Sequence, residues 1–273
     1  MKKFVLSGLF ISALATLAQA NPVVIVDTTP GTAVNDGTIN GGEYVGLSRG
    51  INAGFGNVIG SQSELHVDSS LAGDLNFGLR QGGGNLFNQG VIYIDSIPGG
   101  FTSTASFTDG ADPLRRAISG FNGFGGSGNT LLLFAPGFEA DYAIGIESGF
   151  AGLWQLSAGS HTFLSAVNLT PTGNPNASAF EINTTLASIG VPLGGSFDYV
   201  MTYLNANDGG GPFRSDEFHG VKQATVPGGN IGQAALTLAQ GDYNTFVSIP
   251  EPSTWVLLGL GSLLAGWSLK RRV

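Results

Sequence analysis

Asp74-Leu75-Asn76-Phe77-Gly78-Leu79 decides the fold class. Leu75, Phe77 and Leu79 alternate with Asp74, Asn76 and Gly78, and a strand sends successive side chains to opposite faces, so this period of two makes one apolar and one polar face. The same spacing recurs in Phe197, Tyr199, Met201 and Tyr203 against Asp198 and Thr202. In Val91-Ile92-Tyr93-Ile94 both sets are apolar, which marks a strand covered on two sides. Further strands are predicted over residues 23–26, 64–68, 130–134, 142–147, 152–156, 162–169, 179–183, 217–221, 234–238 and 243–247. The expectation is an all-β chain built as a single β-sandwich of about a dozen short strands.

One short helix interrupts this pattern at Asp112-Pro113-Leu114-Arg115-Arg116-Ala117-Ile118-Ser119-Gly120. Asp112 can cap the free amides, Pro113 suits the first helical position, and Gly120 can end the turn. A second helical turn is predicted over 184–189, ended by Gly190 and Pro192. Glycine-rich stretches at 82–84, 121–128 and 208–211, and the segment 170–176 with Pro171 and Pro175, read as loops. Such loops gather at the ends of a sandwich, where ligands are commonly met.

Glycine fills 44 of 273 positions and charged residues only 11%. These are about twice and under half of ordinary usage, which favours a turn-rich exported fold over a helical enzyme. Between residues 21 and 250 six cations (Arg49, Arg80, Arg115, Arg116, Arg214, Lys222) stand against eighteen carboxylates, a net charge of −12. That excludes nucleic acid as a partner, because phosphate binding needs a concentrated positive surface. The chain has no cysteine, so the domain relies on its core, with bound Ca2+ as the one ionic aid the acidic composition suggests.

The two ends carry an address. Met1-Lys2-Lys3, the apolar residues 4–17 and Ala18-Gln19-Ala20 have the three regions of a secretory signal peptide, with cleavage expected after Ala20. Residues 253–269 are 17 consecutive uncharged positions. As a transmembrane helix they would span roughly 25 Å, close to the bilayer's hydrocarbon thickness. Lys270, Arg271 and Arg272 would stay cytoplasmic and stop transfer. Pro250-Glu251-Pro252, the apolar run and the basic end together resemble the PEP-CTERM sorting signal of Gram-negative bacteria. The resemblance implies an exosortase-type membrane protease as partner, with this chain as its substrate. It also implies a membrane-anchored precursor and a destination at the cell surface or in the extracellular polysaccharide matrix. The expected organisation is a signal peptide at 1–20, a β-sandwich domain at 21–248 and a sorting signal at 249–273.

A second resemblance covers roughly residues 23–226. Asp36-Gly37-Thr38-Ile39-Asn40-Gly41-Gly42-Glu43-Tyr44, the strands from Glu64 to Leu79, and Val91-Ile92-Tyr93-Ile94-Asp95 are similar to the opening of family-nine carbohydrate-binding modules and DOMON-type domains. The tryptophans on which such modules stack sugars are not evident, since Trp154 is the only tryptophan between the signal peptide and the tail.

Catalytic signatures are sparse. The sequence holds no G-x-S-x-G elbow and no H-E-x-x-H zinc motif, and His66, His161 and His219 each sit in or beside a predicted strand. Gly54-Phe55-Gly56-Asn57-Val58-Ile59-Gly60 lacks the βαβ context of a dinucleotide loop and reads as a turn. Asp109 with Asp112, Glu139 with Asp141, and Asp216 with Glu217 are the nearest acid pairs, but strand neighbours point to opposite faces. Asn35, Asp36, Asn40 and Glu43 offer the hard oxygen ligands calcium takes, as do Asn205, Asn207 and Asp208, although neither has EF-hand spacing. Trp154, Tyr44 and Arg214 are the candidate glycan contacts, with Arg214 placed to hold either Asp216 or a ligand carboxylate.

The expected function is that of an exported, non-catalytic surface or matrix protein associated with exopolysaccharide or biofilm. The alternatives are a carbohydrate-binding module with a defined pocket and a secreted glycan-active enzyme.

Overall fold

The computed structural model describes residues 21–123, 128–207, 211–220 and 229–248. The signal segment with Ala18 and Ala20 and the tail with Pro250, Glu251, Pro252, Lys270, Arg271 and Arg272 lie outside the described residues, as does Asp208.

In chain order the elements are β1 (Val23–Val26), β2 (Gly46–Ile51), β3 (Glu64–Ser69), β4 (Asp74–Arg80), β5 (Gln89–Asp95) and the helix α1 (Pro113–Ser119). Next come β6 (Leu132–Leu133), β7 (Tyr142–Glu147), β8 (Phe150–Gln155), β9 (Thr162–Ala166), β10 (Asn168–Thr170) and β11 (Ala179–Thr185). After a 3-10 turn at Ala187–Ile189 follow β12 (Ser196–Asn205), β13 (Phe213–His219), β14 (Asn230–Gly232), β15 (Leu236–Thr237) and β16 (Asn244–Val247). The protein is nearly all β, with sixteen strands among the described residues.

Strand pairing runs β10-β11-β4-β3-β2-β13-β12-β5-β7-β8-β9. Because only Val167 separates β9 from β10, this path comes back to its start and closes a sandwich along one edge. The other edge is closed by β2, in which Gly46 to Arg49 pair with β3 while Gly50 and Ile51 pair with β13. Strands that change layers in this way make the corners of a sandwich. At the β2 corner Gly50 is needed for close approach: a Cβ there would stand 2.0 Å from the Ile59 carbonyl oxygen and 2.1 Å from that of Gly60.

Leu75, Phe77 and Leu79 point between the layers, where they meet Ile92, Ile94, Phe180, Ile182, Phe197 and Tyr199 in the main core. The two-sided strand reading of residues 91–94 also appears in three dimensions. Val91 and Tyr93 face the opposite way, into a second core roofed by Leu114, Ala117 and Ile118 of α1 and by Phe134, Phe138, Leu236 and Leu238. The helix forms as its sequence predicts: Asp112 accepts from the Arg115 amide at 2.9 Å, and Gly120 ends it at φ 65°.

The strand β2 was not legible in the alternation. Its inward positions are the small residues Gly46, Ser48 and Gly50, while Leu47 and Arg49 face outward, so the apolar signal is inverted. The expected strand over 162–169 is divided at Val167, where the chain changes layers.

Candidate functional site

The loop preceding β2 carries the four residues proposed for calcium. Glu43 accepts from the Val34 amide at 2.9 Å and the Asn40 amide at 2.6 Å, one through each oxygen, and Asp36 accepts from the Thr38 amide at 2.9 Å. Glu181 reaches the same loop from β11 and accepts from the amides of Asp36, Gly37 and Thr38. These carboxylates close turns by accepting backbone N–H groups. The Asn35 amide has no hydrogen-bond partner among the described residues. No group of three or more His, Asp or Glu side chains among the described residues is placed to hold a metal.

Tyr44 ends this loop. Its hydroxyl donates to Glu181 at 2.7 Å, its ring lies 5.6 Å from that of His66, and burial together with the Glu181 carboxylate pushes the phenol above its ordinary pKa. Beside it Glu64 bonds Arg49 at 3.0 Å and Arg80 at 2.7 Å. Burial acts to raise the Glu64 carboxyl, but Arg80, His66 and Arg49 together hold it below the usual carboxylate range. The outer face of the β2-β3-β4-β11 layer is therefore a polar network whose groups are paired with one another.

Arg214 is a correction. It is fully buried, which removes it from any surface contact with glycan. Its Nη1 donates to the Thr202 hydroxyl at 3.1 Å and the Tyr93 phenol lies beside the guanidinium, while Nε and Nη2 complete no regular hydrogen bond among the described residues. It makes no ion pair with Asp216, whose carboxylate instead receives the Gly229 amide. The adjacent Glu217 faces the other way and accepts from the amides of Phe55, Asn57 and Ile59. Asp216 and Glu217 thus serve two separate loops, as strand geometry requires.

Two Ser–His pairs arise that the sequence did not signal. Burial pushes His161 down to about 4, leaving a neutral ring. The Ser157 amide donates to His161 Nδ1 at 3.2 Å, so the proton sits on Nε2, which donates to Ser119 Oγ at 2.9 Å. Asp109 accepts from the His161 backbone amide at 2.8 Å and does not touch its ring. In the second pair His219 lies between two hydroxyls, with Nε2 2.9 Å from Ser63 Oγ and Nδ1 3.4 Å from Ser48 Oγ, and Ser63 also donates to the Gly60 carbonyl at 2.8 Å. In the Ser119 pair the imidazole is donor to the serine, the reverse of what a general base requires, and among the described residues no carboxylate hydrogen-bonds either ring. Of the remaining acids, Asp141 accepts from the amides of Ser96 and Ile97, Glu139 is exposed, and Asp112 caps α1.

Trp154 is 3% exposed and belongs to the second core, yet one side of it lines an open cleft of about 350 Å³. The other walls are Asp112, Pro113, Leu114 and Arg115 of the α1 region, Glu147 and Phe150 at the β7–β8 hairpin, and Phe163 of β9. Strand register brings them together: Phe150 pairs with Glu147, and Trp154 pairs with both Ala143 and Phe163. Phe150, Phe163, Glu147 and Arg115 were not singled out from sequence. The available signal was the short Ser148-Gly149 hairpin, which fixes the register that aligns them.

The last described residues bear on the tail. Ser248 is tied to the body, donating its amide to the Gly195 carbonyl at 3.0 Å and accepting from the Gly194 amide at 3.1 Å. Two residues beyond it Pro250-Glu251-Pro252 begins, and the family model described as PEP-CTERM protein-sorting motif matches residues 248–272. The tail is a PEP-CTERM sorting motif. The motif marks an exported protein, sorted by an exosortase after anchoring at the membrane of a Gram-negative bacterium. No curated protein and no solved structure matches the chain. Likeness to carbohydrate-binding modules or DOMON domains thus gains no support from known proteins, and the PEP-CTERM motif is the firm assignment. Among the described residues no helix is long and apolar enough to cross a membrane, and the apolar run of the motif lies outside them.

Proposed function

We propose that the PEP-CTERM tail delivers a non-catalytic β-sandwich to the cell surface or the extracellular matrix, where the body adheres to polysaccharide. One observation carries the non-catalytic part: among the described residues no carboxylate hydrogen-bonds the imidazole of either Ser–His pair, His161 donates to its serine, and the neighbouring Asp109 bonds a backbone amide. A hydrolytic site needs the opposite wiring, with an unprotonated ring nitrogen facing the hydroxyl or two acids free to face a sugar bond. Burial pushes His219 to about 3, so it too is uncharged near neutral pH.

Polysaccharide as partner is supported by the acidic, cysteine-free exported body, whose charge disfavours nucleic acid, and by a cleft that combines aromatic rings with acids and a guanidinium. The test is a glycan array with and without chelator, run beside turnover assays on the same polysaccharides. Binding without turnover, unchanged by chelator, is the expected result. Release of reducing ends that disappears in Asp109→Ala or Asp112→Ala would replace this reading with a glycan-active enzyme. Binding lost on chelation would instead establish calcium as part of the contact, with Asn35, Asp36, Asn40 and Glu43 the first residues to replace.

A further inference from the structure

Phe163 is 44% exposed and Phe150 38% exposed, and both border the cleft that Trp154 floors. The rings of Trp154 and Phe163 lie 5.4 Å apart at 61°, so the two present faces in different directions around one opening. A notch seats the indole. Gly145 and Gly152 are cross-strand partners, and a Cβ on Gly152 would stand 2.7 Å from Trp154 Cη2, while one on Gly145 would stand 3.1 Å from Cζ3. The benzo edge is thus packed over backbone that only glycine leaves clear.

The indole Nε1 of this tryptophan is buried and has no hydrogen-bond partner among the described residues. A buried donor without an acceptor is uncommon, because it forfeits a bond to water worth a kilocalorie or more. Around the same opening stand two carboxylates, Asp112 and Glu147, and the Arg115 guanidinium. Arg115 Nε lies 3.3 Å from Asp112 Oδ2, an ion pair at the rim. A ligand suited to these walls has apolar faces for flat rings and a periphery of hydroxyls that donate to carboxylates and accept from a guanidinium. Those are the properties of a pyranose ring. A purely apolar ligand would leave Asp112, Glu147 and Arg115 desolvated, and a nucleotide would face two acids.

We propose that the Trp154 cleft is a saccharide-binding site, with Phe150 and Phe163 as the ring platforms and Asp112, Arg115 and Glu147 as the hydroxyl partners. This deepens the polysaccharide reading above and rests on it for the ligand class. The full chain, in a detergent without a sugar headgroup and with Trp255 and Trp267 replaced by Phe, has Trp154 as its sole indole. Its emission is followed while hexasaccharides of β-glucan, xylan, mannan, galactan, chitin and alginate are added. At least one class should shift the emission saturably. Phe150→Ala and Phe163→Ala, both at exposed positions, should each weaken that binding by about tenfold, and the double variant more, while Leu47→Ala at an exposed position of β2 on the opposite layer leaves it unchanged. Circular dichroism of each variant confirms the fold. The proposal is overturned if none of the six sugars moves the emission, or if a sugar binds equally well to the double variant. It is also overturned if sedimentation shows that the two phenylalanines hold copies of the chain together and are covered in the absence of sugar. Failure of the export reading would show instead as an uncleaved tail in cells and would leave this titration untouched.

Discussion

Replacing Glu217 tests how the sandwich holds the loop that joins β2 to β3. The carboxylate is fully buried and accepts from Phe55 at 2.6 Å, Asn57 at 3.0 Å and Ile59 at 2.9 Å. Those three amides belong to the segment joining β2 to β3, whose Val58 and Ile59 enter the main core. Charge-assisted bonds of this kind contribute about 1.5–3 kcal/mol each, and an amide left buried without an acceptor costs about 1–3 kcal/mol. Glu217→Ala orphans all three. Allowing water to reach part of the vacated space, the loss should be about 3–6 kcal/mol, a large share of the roughly 5–15 kcal/mol that holds a domain folded. Glu217→Gln keeps the shape and the two bonds to one oxygen but turns the other atom into a donor facing the Ile59 N–H, for a loss of about 2–3 kcal/mol. Urea unfolding followed by near-ultraviolet dichroism gives both values. The order wild type, Gln, Ala is expected, and an Ala variant within about 1 kcal/mol of wild type would refute the claim that this acid is structural.

Asp112→Ala removes the cap of α1 and should cost about 1 kcal/mol, read as a lowered unfolding midpoint. Gly50→Ala places a methyl 2.0 Å from a backbone carbonyl at the layer-crossing corner and should cost more than about 3 kcal/mol or prevent soluble expression; unchanged stability would show that β2 does not turn there. Burial depresses His161 to about 4 and His219 to about 3, below the ordinary histidine value, so their contribution is complete above about pH 6.5 and is lost as the pH falls through the folded-state values. His219→Gln should therefore lose less stability than its parent between about pH 7 and 4.5, by up to about 1.4 kcal/mol per pH unit. Asp68 and Asp95, which burial raises to about 6, act in the opposite sense: their contribution is present at acid pH and is lost as the pH rises through about 6. Comparing parent and variant at each pH isolates the histidine.

Strong periodicity made the main core legible. Leu75, Phe77 and Leu79, and the run through Tyr199, announce themselves because large apolar side chains alternate with polar ones, and Asp112-Pro113 with Gly120 spells out a helix at both ends. β2 stayed hidden because a corner strand buries glycine and serine, which carry no hydropathy signal. Arg214 read as a partner for Asp216 or a ligand carboxylate because charge is usually solvated or paired, but its guanidinium is buried beside Thr202 and Tyr93 of the neighbouring strands. The two Ser–His pairs join residues 42 and 156 positions apart, so no local pattern could reveal them. The Trp154 cleft is a product of register: its walls come from four separate segments that are adjacent only after β7, β8 and β9 pair. The sorting motif needed no fold at all, since its order of parts is local in the chain.

The measurement that bears most directly on the whole account is intact-mass and terminal-peptide analysis of the protein taken from the cells that make it. Removal of the first twenty residues, so that Asn21 leads, together with cleavage close to Pro250-Glu251-Pro252 in material outside the cytoplasm, is the predicted result. A single species beginning at Met1 and ending at Val273, recovered from the cytosol, would contradict it.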